Sequence, residues 1–221
     1  MASGEAFGGV QALVDIFTLD QYALTTVDSV RKQLGMPASV VNQDLRNKIE
    51  KLINACSAAI ESFIERQVLS RSYAEIYDGR GTDRLVPQQW PILSIDELWI
   101  DTSRLFTDPA NQLPVTDYAV VDEQTAVELL FRQFSSGRYS TKIVYTAGFT
   151  RVPYDISYAC DLFCEWLFRM NEREDIGRTT RSKGDESVNI EQSMPTVVVD
   201  MIRKYKRLEF GGATPRSIIS V

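Results

Sequence analysis

The chain has 221 residues, 44% of them hydrophobic, with 24 Lys and Arg against 30 Asp and Glu, a formal charge of −6 and a pI near 4.9. That length fits one large domain or a domain with an insertion, and the apolar content supports a real core. The acidic balance argues against a free-standing duplex-DNA binder, which presents a basic face. The lack of histidine excludes Ser-His-Asp and Cys-His arrangements, and no run nears the roughly 18 apolar residues of a membrane span.

Residues 1–23 mix Gly, Ala and scattered apolar residues, of which Val10, Leu13, Val14 and Phe17 fit a short amphipathic helix. A docked arm and a disordered tail are both open there. Met1 to Val14 lacks the basic start of a secretion signal, and Gly4, Gly8 and Gly9 interrupt its apolar residues. Leu24 to Met36 predicts a first helix, capped by Thr26 and ended by Gly35 and Pro37. Asn42 to Arg66 predicts a long helix with Asn42 as its N-cap. Its apolar stripe is Leu45, Ile49, Leu52, Ile53, Cys56, Ala59, Ile60 and Phe63; the other face carries Arg46, Lys48, Glu50, Lys51, Ser57, Glu61 and Glu65. A rod of that length with one apolar stripe needs other helices to cover it.

After Arg66 the period changes to that of strands. Ser72–Tyr77 and Thr82–Val86 flank the turn signal Asp78-Gly79-Arg80-Gly81 and predict a hairpin. Gln88-Gln89-Trp90, bracketed by Pro87 and Pro91, reads as an exposed stretch. Ile92–Asp101, Tyr118–Val121, Ala126–Phe131 and Lys142–Ala147 predict further strands. Thr102–Thr116, with Pro109 and Pro114, predicts an outer loop whose removal leaves a folded subunit. The helical period returns at Pro153 with Ile156, Cys160, Phe163, Leu167 and Met170. Residues 174–193 are polar, contain Gly177 and Gly184, and predict a mobile loop or hairpin. A last helix begins near Pro195, with Val198, Val199, Ile202 and Tyr205 inward.

The fold class predicted is therefore α+β: an antiparallel helical bundle with an inserted small antiparallel β unit and an extended C-terminal tail. The divisions are an N-terminal arm (1–23), a bundle (24–71 plus 149–207), a β unit (72–148) and a tail (208–221). Leu45, Leu52, Ile60, Ile156, Phe163, Leu167 and Ile202 are the expected shared core of the helices.

The residues offer little chemistry. Cys56, Cys160 and Cys164 occupy apolar-periodic positions and read as reduced core thiols, and no metal or cofactor is expected. Paired carboxylates such as Asp96-Glu97 and Asp122-Glu123 lie in turn-like settings that suit solvated charge, so no catalytic residue is assigned. Basic residues cluster at Arg178, Arg181 and Lys183, and again at Arg203, Lys204, Lys206 and Arg207. Such clusters answer a helix dipole, an acidic partner or a phosphate backbone.

Several stretches, in order, resemble the head–tail connector (adaptor) proteins of tailed bacteriophages. They are Leu24-Thr25-Thr26-Val27-Asp28-Ser29-Val30-Arg31; Asn54-Ala55-Cys56-Ser57-Ala58-Ala59-Ile60-Glu61; Tyr77-Asp78-Gly79-Arg80-Gly81 with Pro91-Ile92-Leu93-Ser94-Ile95; Val144-Tyr145-Thr146-Ala147-Gly148-Phe149 with Val152-Pro153-Tyr154-Asp155-Ile156; and Lys183-Gly184-Asp185-Glu186-Ser187-Val188. Together they span about 24–207. The resemblance implies a virion structural protein without enzyme activity, assembled in the bacterial host cytoplasm. It implies a homo-oligomeric ring of twelvefold symmetry at the neck. Its partners would be the portal protein, the next neck or tail component, and genomic DNA passing through without sequence-specific binding. On that reading Asp78, Arg80 and Trp90 lie at subunit–subunit contacts, and Arg178, Arg181 and Lys183 lie near the channel or a partner. The tail residues Arg207, Phe210, Arg216, Ile218, Ile219 and Val221 would bind the portal. The uncharged, β-branched end Ser217–Val221 suits addition to a sheet edge on another protein, or folding back on its own subunit. The competing class is a cytosolic helical nucleic-acid-binding regulator using the basic loop.

Overall fold

A computed structural model describes residues 18–40, 42–172, 180–183, 186–189, 193–207 and 218–220. Helix α1 is Val27–Gln33, and the Thr26 side chain accepts from the Ser29 N–H as the sequence predicts. Helix α2 is Gln43–Ile64, with the Asn42 side chain accepting from Leu45. Its 22 residues make a rod of about 33 Å. Gly35 closes α1 at φ +70, while α2 ends without glycine, at Glu65 in the left-handed region. Helix α3 is Tyr154–Glu172 and α4 is Thr196–Ile202.

These helices share one core. Ile49, Ile53, Cys56, Ile60 and Ile64 of α2 pack with Ile156, Cys160 and Phe163 of α3, Val198 and Ile202 of α4, and Val30 of α1. Ile60, Ile156, Phe163 and Ile202 are buried as expected, whereas Leu45, Leu52 and Leu167 flank the cluster partly buried. Two members of the polar face of α2 are inside. Glu50 and Ser57 are buried. Ser57 Oγ accepts from the Leu24 N–H at 3.0 Å, and Glu50 pairs with Arg46 at 3.0 Å. The segment before α1 covers that side of α2: Asn54 Oδ1 accepts from the Asp20 N–H, and its amide donates to the Thr18 carbonyl.

Between α2 and α3 lie six strands: β1 (Arg71–Gly79), β2 (Arg84–Leu85), β3 (Ile92–Ile100), β4 (Tyr118–Val121), β5 (Ala126–Leu129) and β6 (Gly137–Ala147). Later come β7 (Thr180–Lys183), β8 (Glu186–Asn189) and β9 (Ile218–Ser220). One antiparallel sheet has the order β3-β6-β1-β9, a second β2-β5-β4, and β7-β8 form a hairpin within 174–193. Tyr73, Tyr77, Leu98, Val127, Leu129, Phe134, Ile143 and Tyr145 fill the β core. The alternation of β1 puts Tyr73, Glu75 and Tyr77 inward.

The predicted hairpin at Asp78–Gly81 does not form. β1 pairs with β6 along Arg71–Tyr77, and β2 pairs with β5 in the other sheet. The chain instead crosses to the second sheet, where Arg84 and Leu85 of β2 lie opposite Glu128 and Val127 of β5. Gly79 is required there by close approach: a Cβ would come within 1.7 Å of the Ser135 carbonyl oxygen. The outer loop is also more than a surface excursion. Leu113 is buried in the β core and its N–H bonds to the Leu98 carbonyl at 2.8 Å.

Candidate functional site

The helices and the β strands meet around one arginine. Arg66 follows α2 and is almost fully buried. Its guanidinium stacks on Trp90 at 3.6 Å and faces Phe149 at 5.5 Å, and Nη2 donates to the Trp90 carbonyl. Burial pushes its pKa down to about 10, so it stays charged at neutral pH. Phe149 in turn meets Tyr205 edge-on at 5.9 Å. The Tyr205 hydroxyl donates to Asp155 at the start of α3, at 2.8 Å. Burial raises the Asp155 pKa, yet Lys204 and Tyr205 together hold it below the usual value. Gly148, at φ +115, lets β6 turn into this junction; a Cβ there would sit 2.8 Å from the Leu69 backbone.

Next to the junction a polar network is enclosed in the sheet. Glu75 of β1 is fully buried. Its Oε2 accepts from the Tyr77 hydroxyl and the Gln88 N–H, while Oε1 has no partner. Burial raises the Glu75 pKa, opposed by the bonds from Tyr77 and Gln88. Tyr145 accepts from the Gln89 N–H at 3.1 Å, and Gln89 Oε1 accepts from the Gln67 N–H at 3.2 Å. The stretch Gln88-Gln89-Trp90, read from sequence as exposed, is therefore interior. Gln88 and Gln89 are buried and Trp90 is half-buried. Proline neighbours signal an irregular segment but not which way its side chains face.

The edge of β1 away from β6 is paired over part of its length with β9. Ser220 is opposite Tyr73, Ile219 opposite Ala74, and Ile218 opposite Glu75. β9 covers three of the nine residues of β1.

The proposed contact residues are scattered. Asp78 accepts from the Tyr139 N–H at 2.8 Å, and Arg80 is exposed. Trp90 is engaged within the subunit. Arg181 and Lys183 belong to β7, while Arg178 lies outside the described residues. Arg207 donates its backbone N–H to the Ile64 carbonyl at 2.9 Å. Ile218 and Ile219 are in β9; Phe210, Arg216 and Val221 lie outside the described residues. The basic cluster near α4 is largely paired internally. Arg203 meets Asp200 at 3.2 Å, Lys204 meets Asp155 at 2.6 Å and Lys206 meets Glu65 at 3.2 Å. Surface pairs of this kind contribute little stability, but they dilute a positive patch.

The described residues hold no cluster of His, Cys, Asp or Glu able to bind a metal. The three thiols are buried and free. The Cys164 contact and burial push the Cys160 thiol far above its ordinary pKa, which suits packing and not nucleophilic chemistry. Sequence reasoning missed Asp161, which is buried on α3 and accepts from the Thr25 and Ser29 hydroxyls at 2.6 Å each. Its signal was available: a carboxylate beside Cys160 on the apolar stripe of α3.

The geometry thus defines a scaffold: a buried junction, an enclosed polar network and a sheet edge that takes an added strand. Residues 23–208 match the head completion protein family, and the chain belongs to it. This bears out the resemblance to phage head–tail connectors. No curated relative matches the chain. Among solved structures, a chain from the neck of an empty gene transfer agent particle with sixfold symmetry aligns at 18% identity and TM-score 0.56, covering 89% of this chain and 97% of that one. A chain from the virion of the native gene transfer agent aligns at 17% and 0.56, covering 87% and 94%. One from the native particle's neck with twelvefold symmetry aligns at 18% and 0.54, covering 89% and 97%.

Proposed function

We propose that this head completion protein forms a homo-oligomeric ring at the virion neck, most simply of twelve subunits, between the portal and the next tail component. The observation that carries the proposal is the match across 23–208, supported by a fold shared over 89% of the chain with a protein in a neck of twelvefold symmetry. A cyclic ring needs two different faces on each subunit. Exposed aromatic residues on two separate elements suit that need: Phe131 just after β5 is 81% exposed and Tyr154 at the start of α3 is 85% exposed. Asp78, Arg80 and the exposed part of Trp90 join the subunit contact, and Arg178, Arg181 and Lys183 lie toward the channel or a partner.

In this reading the bundle and β unit together build the ring wall, and the tail from 208 docks on the portal through Phe210, Arg216, Ile218, Ile219 and Val221, with Arg207 at its base. Twelve subunits at −6 each carry about −72 formal charges, a field that keeps DNA from adhering to a conduit it must pass. The protein performs no catalysis.

Light scattering with and without the purified cognate portal tests the proposal. A ring, alone or on the portal, is the expected result. A compact dimer with salt-sensitive duplex binding would instead identify a nucleic-acid regulator. Truncation after Glu209 is expected to leave thermal stability nearly unchanged and to abolish portal attachment; wild-type attachment would show that the tail is not the anchor.

A further inference from the structure

The β1 edge and the tail share one physical constraint. Ile218–Ser220 lies antiparallel on Tyr73–Glu75 of its own sheet. A strand pairing through the same backbone groups cannot serve two edges at once. We propose that the outer edge of β1 is a resting place for the portal-binding strand: the free subunit keeps β9 on its own sheet, and attachment transfers it to a sheet edge on the portal. This rests on the reading of the tail as the portal anchor.

Three observations support transfer over permanent docking. The pairing is short, covering three residues of a nine-residue strand, so a longer acceptor edge can outcompete it. The strand is uncharged and β-branched in sequence, and such a segment gains by being paired before it meets its partner. The ten residues from 208 to 217 separate Arg207 from β9, a chain length that reaches up to about 35 Å when extended. The strand can therefore leave its edge while Arg207 stays held at the end of α2 by its bond to Ile64. The own-edge site also has the advantage of tethering, which keeps the strand occupied until a portal edge is close. A free subunit would thereby keep Tyr73–Glu75 of the β1 edge covered from other copies.

The test is a reversible clamp. Ala74 and Ile219 are directly opposite in the register. Ala74→Cys with Ile219→Cys places two thiols where a disulfide suits the spacing of paired strands. The three native cysteines are buried and stay out of the exchange. Portal attachment of the oxidised and reduced variant is compared with wild type, with Ala74→Cys alone, and with the chain truncated after Glu209, using purified portal oligomer. The expected result is an intramolecular disulfide in the free subunit, loss of attachment when oxidised, and recovery on reduction. Wild-type attachment by the oxidised clamp, with the truncated chain unable to attach, would overturn the transfer while keeping the tail as anchor. Wild-type attachment by the truncated chain would overturn both. Failure of the pair to form an intramolecular disulfide would overturn the resting position itself.

Discussion

Glu75 carries the most information at the scale of single residues. It is enclosed in the sheet with one oxygen bonded and the other bare. Burial makes it hold its proton to higher pH than the unfolded chain does. Its contribution is therefore complete at pH below the unfolded carboxylate value and declines as pH rises through the folded value. Glu75→Gln keeps an oxygen for the Tyr77 and Gln88 donors and removes the charge. The expected outcome is a thermal midpoint a few degrees higher at neutral pH, with a flatter dependence from pH 4.5 upward, read by circular dichroism. An unchanged slope would assign the pH dependence elsewhere. Arg66 works differently: burial lowers its pKa only to about 10, so it stays charged at neutral pH, stacked on the Trp90 ring and bonded to the Trp90 carbonyl.

Among elements, α3 packs against both α2 and α4 in one shared core. Phe163 is 7% exposed in the shared core and stacks on Trp166 with centroids 6.0 Å apart. Phe163→Ala is expected to cost about 3–5 kcal/mol in denaturant unfolding. The loop from 102 to 116 illustrates a limit of patterning. Its prolines and polarity signal a surface excursion, and much of it is exposed. Yet Leu113 reaches the β core, and the buried Asp101 holds the N–H groups of Ser103 and Phe106. Deleting Thr102–Thr116 is expected to lower stability by the amount of a buried leucine, about 2–5 kcal/mol. Replacing 104–110 alone is expected to leave the melting midpoint nearly unchanged.

For the whole molecule, the exposed aromatic residues bear on assembly more than on folding. Phe131→Asp places a charge on a residue already in water, so stability should move by no more than about 0.5 kcal/mol. On the ring proposal it is expected to leave a folded monomer that fails to close into rings, measured by light scattering. Rings of unchanged mass would remove Phe131 from the contact.

The amino-acid pattern by itself determined the helices, their caps at Thr26 and Asn42, most strand positions, and family membership. Those properties depend on spacing, capping and order along the chain, and all of them are local or additive. Tertiary structure decided which strands pair. Asp78-Gly79-Arg80-Gly81 carries a hairpin signal, but β6, about sixty residues later, takes the β1 edge, and no local rule weighs a distant competitor. It also decided which polar residues are inside. Glu50, Ser57, Glu75, Gln88, Gln89 and Asp161 are buried, most of them because particular partners from elsewhere in the chain satisfy them. Burial of a polar group depends on those partners, and they meet only when the chain is folded.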